Sequence, residues 1–152
     1  MHHPIQRRRL LRHGLQAGVS LSLASLLPQA RACEYFSPHL RITHPYTRAT
    51  QPGETSIAVT MKFDEVTRAD RLVGVQTPVA EGAEIGGLLA RPTVDFMIPE
   101  GEETWLREDR SYLRLVGLKH PLQVARTYPM TLLFEHGGPV PATLNIDYAR
   151  FL

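Results

Sequence analysis

The sequence predicts an all-β fold, an antiparallel β-sandwich, on three observations. Apolar and polar residues alternate with period two over its clearest segments. No run after residue 33 sustains helical periodicity. Turn-formers rich in Gly and Pro punctuate the chain at short intervals. An alternating strand buries one face and wets the other, and two sheets stacked face to face satisfy both.

Taken in order, the first predicted strand is Leu40–Thr43. The second carries Ile57, Val59, Met61 and Phe63 on one face and Ala58, Thr60 and Lys62 on the other. Shorter segments follow at Arg71–Gln76, Val94–Ile98, Thr104–Leu106 and Tyr112–Leu118. Met130, Leu132 and Phe134 then alternate with Thr131, Leu133 and Glu135. Ala142, Leu144, Ile146 and Tyr148 alternate with Thr143, Asn145 and Asp147. The expected separators are Gln51-Pro52-Gly53, Glu81-Gly82, Pro99-Glu100-Gly101 and His136-Gly137-Gly138-Pro139. Cys33–Pro38 reads as the stretch joining a leader to the strands of a single domain, assigned over 33–152.

Residues 1–32 read as a targeting segment. Gln6-Arg7-Arg8-Arg9-Leu10-Leu11-Arg12 resembles a twin-arginine signal. The apolar run from His13 to Leu27 is diluted by glycine, glutamine and serine, and is too short to span a bilayer. Ala30-Arg31-Ala32 supplies small residues for cleavage before Cys33. Export to the periplasm by the twin-arginine route is therefore expected. A lipoprotein acylated at Cys33 is the competing reading, although Ala30 and Arg31 stand where a leucine and a small residue are preferred. Without residues 1–32 the chain holds 12 Lys/Arg against 15 Asp/Glu, a net charge of −3. No basic face remains to attract nucleic acid. The single cysteine, Cys33, rules out an intrachain disulfide.

No nucleophile elbow, CxxC pair, HExxH or phosphate-binding loop is present in the sequence. An enzyme is not expected. Glu100, Glu102 and Glu103 flank a turn and read as a solvated loop. The remaining candidate chemistry is soft-metal binding, which thiolate, thioether and imidazole would suit as Cu(I) donors. Met61 and Met130 fall on apolar strand faces and read as core filling. His44 and His120 each precede a proline and are expected at strand ends. Cys33 and His39 could chelate together with an α-amine freed by cleavage after Ala32.

Several segments between Leu40 and Ile146 resemble the periplasmic copper chaperone family PCu(A)C, or PCuAC. They are His44-Pro45-Tyr46-Thr47-Arg48-Ala49, Asp70-Arg71-Leu72-Val73-Gly74-Val75, Arg91-Pro92, Gly117-Leu118-Lys119-His120-Pro121 and Tyr128-Pro129-Met130-Thr131-Leu132-Leu133-Phe134-Glu135. The resemblance implies a cupredoxin-like or immunoglobulin-like sandwich and a role in delivering Cu(I) toward cytochrome oxidase. It also implies a ligand set of two histidines and two methionines, the last pair a His-x-Met sharing one strand face. Anchored on Gly117-Leu118-Lys119, that pair falls on Tyr112 and Arg114. The first methionine position falls on Ala90, 22 residues before Tyr112, and the first histidine position near Gly86. Phenol, guanidinium, methyl and hydrogen thus stand where imidazole and thioether are expected. A guanidinium ~4 Å from a bound cation at an effective dielectric of ~20 would oppose it by about 4 kcal/mol.

Two readings follow. In the first, the domain has lost the family copper site and acts as a binding module, partnering a periplasmic copper chaperone or a cytochrome oxidase assembly protein. In the second, it remains a Cu(I) carrier on other donors, drawn from Cys33, His39, His44 and His120.

Overall fold

The computed structural model describes residues 33–147; the leader predicted over 1–32 and the last expected strand residue, Tyr148, lie outside them. Ten strands follow one another: β1 (Glu34–Phe36), β2 (Arg41–Arg48), β3 (Ser56–Asp64), β4 (Asp70–Gln76), β5 (Ala80–Gly87), β6 (Phe96–Ile98), β7 (Thr104–Leu106), β8 (Ser111–Leu118), β9 (Thr127–Phe134) and β10 (Gly138–Asp147). Among the described residues no helix is long and apolar enough to cross a membrane.

The strands run side by side as β5-β8-β3-β2-β10-β9-β4-β6, with β1 added to β2 and β7 to β3. β3 joins two walls: Ser56–Val59 pairs with β8, and Met61–Phe63 pairs with β7. β4 leads into β5 and touches it, so the path curls back toward its own start around one core. Ile57, Val59, Met61 and Phe63 point into that core, as do Leu113, Leu115, Leu132 and Leu144. Each such side chain contributes about 1.5–3 kcal/mol by leaving water. Phe63 sits at the centre, edge-on to Phe134 at 6.2 Å and tilted to Phe96 at 6.0 Å between ring centroids. Met61 and Met130 are buried fillers, as the alternation predicts.

Three expectations require correction. Glu81-Gly82 is not a turn but lies inside β5, because seven residues of that strand pair with β8 and the partner strand outweighs local propensity. Cys33–Pro38 is not merely a connection, since β1 pairs there with β2. His44 is not at a strand end. It sits within β2 at a bulge, where the pairing with β3 slips between Thr43 and Tyr46 and His44 adopts a φ of 49°. The fold is all-β as expected and its pairings are antiparallel with one exception: among the described residues β10 runs parallel to β2 at Asn145–Tyr46, Ile146–Thr47 and Asp147–Arg48.

Candidate functional site

β5 and β8 form an antiparallel pair in which Gly86 faces Tyr112 and Glu84 faces Arg114. Alternation along β8 sends Leu113 and Leu115 inward and leaves Tyr112, Arg114 and Val116 on the outer face. The Tyr112 ring covers Gly86 so closely that a Cβ there would come 2.4 Å from Cε2 and 2.5 Å from Cζ. Beside it, the Arg114 Nε donates to Glu84 Oε1 at 2.7 Å, and a second guanidinium nitrogen reaches the same carboxylate.

After Gly87 the chain folds back on the free edge of β5. Ile85 and Arg91 exchange backbone hydrogen bonds of 3.2 and 2.8 Å. Gly87 makes this reversal possible: its φ is 83°, and a Cβ would lie 2.0 Å from the Arg110 carbonyl oxygen. The Leu88 N–H donates to that carbonyl at 2.9 Å, and the Leu89 N–H to Ser111 Oγ at 3.1 Å. Leu88 and Leu89 themselves are exposed. The fold-back brings Ala90 alongside Glu84 and Arg114, where with Ile85, Arg91 and Pro92 they line a shallow cavity of about 280 Å³.

Positions 86, 90, 112 and 114 therefore gather on one patch of the β5–β8 wall. Their side chains do not fit Cu(I). The only donors of even moderate strength there are a phenol and a carboxylate that already holds a guanidinium, and neither is soft. Glu84 also changes the electrostatics, since it offsets the fixed charge of Arg114 and leaves geometry and donor chemistry to oppose a cation.

The other sequence-predicted donors lie elsewhere. Register puts Cys33 beside His44, whose N–H donates to the Cys33 carbonyl at 2.7 Å. Cys33 Sγ lies 3.7 Å from Asn145 Oδ1, and His44 Nε2 lies 3.2 Å from Asp147 Oδ2. His39 belongs to the turn at the far end of β1, where its N–H donates to Ser37 Oγ at 3.1 Å. His120 is exposed, with Nδ1 2.9 Å from the Pro121 carbonyl and its ring against Tyr128. Among the described residues no three His, Cys, Asp or Glu side chains gather closely enough to hold a metal ion.

A charge cluster away from this patch lies on β2 and β3. Buried Asp64 receives Arg41 Nε at 2.7 Å and Lys62 Nζ at 2.8 Å. The Arg41 hydrogen bond, with Lys62 behind it, holds the Asp64 carboxyl at about 2, and both cations are in turn held protonated. Sequence reasoning missed Glu84 and Gly87. Glu84 could be found only by knowing the β5–β8 register, 30 residues apart, whereas Gly87 follows the visible Gly86-Gly87 pair.

The LpqE-like lipoprotein family matches residues 40–146. No curated protein matches the chain. The fold is similar to the copper-bound PCuAC domain from PmoF2, with 25% identity, a TM-score of 0.69, and coverage of 76% of this chain and 97% of that one. It is similar to the apo PCuAC domain from PmoF1, with 28% identity, a TM-score of 0.68, and coverage of 76% and 98%. Cu(I)-DR1885 from Deinococcus radiodurans shares the fold at 23% identity and a TM-score of 0.61, over 78% and 81% of the two chains.

Proposed function

This chain belongs to the LpqE-like lipoproteins of the PCuAC family, and from that premise we propose that it is an exported binding module of copper handling whose family copper position is closed by its own side chains. The observation that carries this reading is the Tyr112 ring lying on Gly86, with Arg114 tied to Glu84 next to it. An imidazole at position 86 has no room while that ring is in place. Ala90 and Arg114 supply no thioether. The module then works through its surface, as a partner of a periplasmic copper chaperone or a cytochrome oxidase assembly protein. The exposed Leu88-Leu89 tip beside the closed position offers apolar surface to such a partner.

The lipoprotein description of the family supports export. In our reading residues 1–32 are removed and Cys33 begins the mature chain, just before β1. The mass of the mature N-terminus separates a free cysteine from an acylated one.

A second reading, a Cu(I) carrier on other donors, is favoured by one observation: the register that sets Cys33 beside His44. His39 lies at the other end of β1, and His120 beyond β8. Competition for Cu(I) against a chromogenic chelator separates the two readings. The binding module leaves the chelator loaded at micromolar copper. Tight one-to-one uptake abolished by Cys33→Ala or His44→Ala would replace it with the carrier.

A further inference from the structure

A second concave site lies on the outer face of the sheet, across β2, β3, β7 and the end of β10. It is a slot of about 490 Å³ lined by Thr43, His44, Tyr46, Lys62, Trp105 and Asp147. Its volume is in the range of small-ligand pockets. The register builds it: Trp105 pairs with Lys62, and Lys62 with Thr43, so these three cross the sheet in one row. The β2 bulge then throws His44 out of line, and its ring stacks on Tyr46 at 4.9 Å and 29°. Trp105 thus forms one wall, and the His44–Tyr46 stack the other. Thr43 Oγ1 is buried with no hydrogen-bond partner among the described residues.

Three carboxylates border the slot. Asp147 meets His44 Nε2 at 3.2 Å, Glu103 accepts from Trp105 Nε1 at 2.8 Å, and Asp64 lies behind Lys62. Against them stands the Lys62 ammonium, held by Asp64 at 2.8 Å and Glu103 at 3.5 Å and lying 5.6 Å from the Trp105 ring centroid. The protein's own cation therefore already uses this aromatic face. Arg41 also serves Asp64, but is shared with Glu34 and Glu65. Aromatic faces backed by surplus carboxylate are the chemistry that recognises organic cations. The left-handed φ of His44, at 49°, holds one wall in a conformation that non-glycine residues seldom adopt.

We infer that this slot binds an organic cation, an alkylammonium or guanidinium group, between Trp105 and Tyr46 with Asp147 as counter-ion. The group is carried either by a free amine or by a basic side chain of a partner.

Trp105 is the only tryptophan of the chain, so its emission reads the slot directly. The purified protein is titrated at fixed ionic strength with choline, N-acetyl-lysinamide, N-acetyl-argininamide and, as a neutral isostere of choline, 3,3-dimethylbutanol. A saturable change is expected with at least one of the cations and none with the alcohol. Asp147→Asn weakens that binding by about threefold. Lys62→Met, which removes the competing ammonium, tightens it. An equal response to the alcohol, weaker binding in Lys62→Met with Asp147→Asn unchanged, or no saturable response to any of the cations overturns the inference. Tighter binding of the lysine or arginine amide than of choline assigns the cation to a partner side chain, and the reverse order assigns it to a free amine.

Discussion

The ring of Tyr112 occupies the space that a side chain at position 86 would need, with Cε2 2.4 Å from where a Cβ would stand. The two residues are register partners on β8 and β5, so the relationship is built into the pairing of the wall. Gly86→Ala should therefore push the ring outward at a cost of about 1 kcal/mol, the low end of overpacking because the tyrosine is only half-buried. In a Tyr112→Ala background the same substitution should cost almost nothing. A double-mutant cycle by urea unfolding measures the difference, and additive effects would show that the ring does not depend on the glycine.

Gly87 and Gly53 make a controlled comparison. Both have positive φ, 83° and 80°, but a Cβ at Gly87 meets the Arg110 carbonyl oxygen at 2.0 Å while Gly53 has nothing within 4 Å. Gly53→Ala should cost about 1 kcal/mol from backbone conformation alone. Gly87→Ala should cost at least about 2 kcal/mol more, because the obstructing atom is backbone and cannot rotate away. Chemical denaturation of the two variants checks the order.

Asp70 is buried, and its carboxylate accepts the N–H groups of Arg71, His136 and Gly137 at 2.8–2.9 Å. It thereby fastens the β9–β10 turn to the start of β4. Asp70→Ala leaves three donors without this partner and should lower stability by about 2–3 kcal/mol. Amide exchange of His136 and Gly137 should accelerate in the same variant, localising the loss to that turn.

Asp64 gives a pH dependence with a defined sign. Its folded-state value, about 2, lies below the ordinary 3.8 because Arg41 and Lys62 hold the carboxylate. A depressed carboxyl stabilises the fold fully above the unfolded value and loses that contribution as pH falls from about 4 toward 2. The contribution is on the order of 1–2 kcal/mol, allowing for solvent screening of the cations. Asp64→Asn should be less stable at neutral pH and show a shallower acid limb, as read from thermal unfolding between pH 7 and pH 2.

The alternation of Ile57–Phe63 and Met130–Phe134 made the core faces legible, because period two has only one solution on a pleated strand. β5 was not legible. Gly82, Gly86 and Gly87 depress its local preference, and the strand exists because β8 supplies its hydrogen bonds. The bulge at His44-Pro45 was hidden for a related reason, since a slip in register depends on the partner strand and not on the segment itself. The gathering of positions 86, 90, 112 and 114 was expected from the family resemblance, whereas Glu84, which neutralises Arg114, was invisible until strand pairing placed them opposite each other. The slot between Trp105 and Tyr46 depends on three strands and a bulge, and no local pattern announces it.

The most direct test of the proposal that the family copper position is closed is a Cu(I) competition titration of the native protein beside the combined variant Gly86→His, Ala90→Met, Tyr112→His and Arg114→Met. The native protein should leave the chelator loaded, and the variant should withdraw one equivalent of Cu(I), because only side chains separate the two on a shared scaffold. Withdrawal of one equivalent by the native protein, abolished by Tyr112→Ala or Arg114→Ala, would contradict the account at its centre.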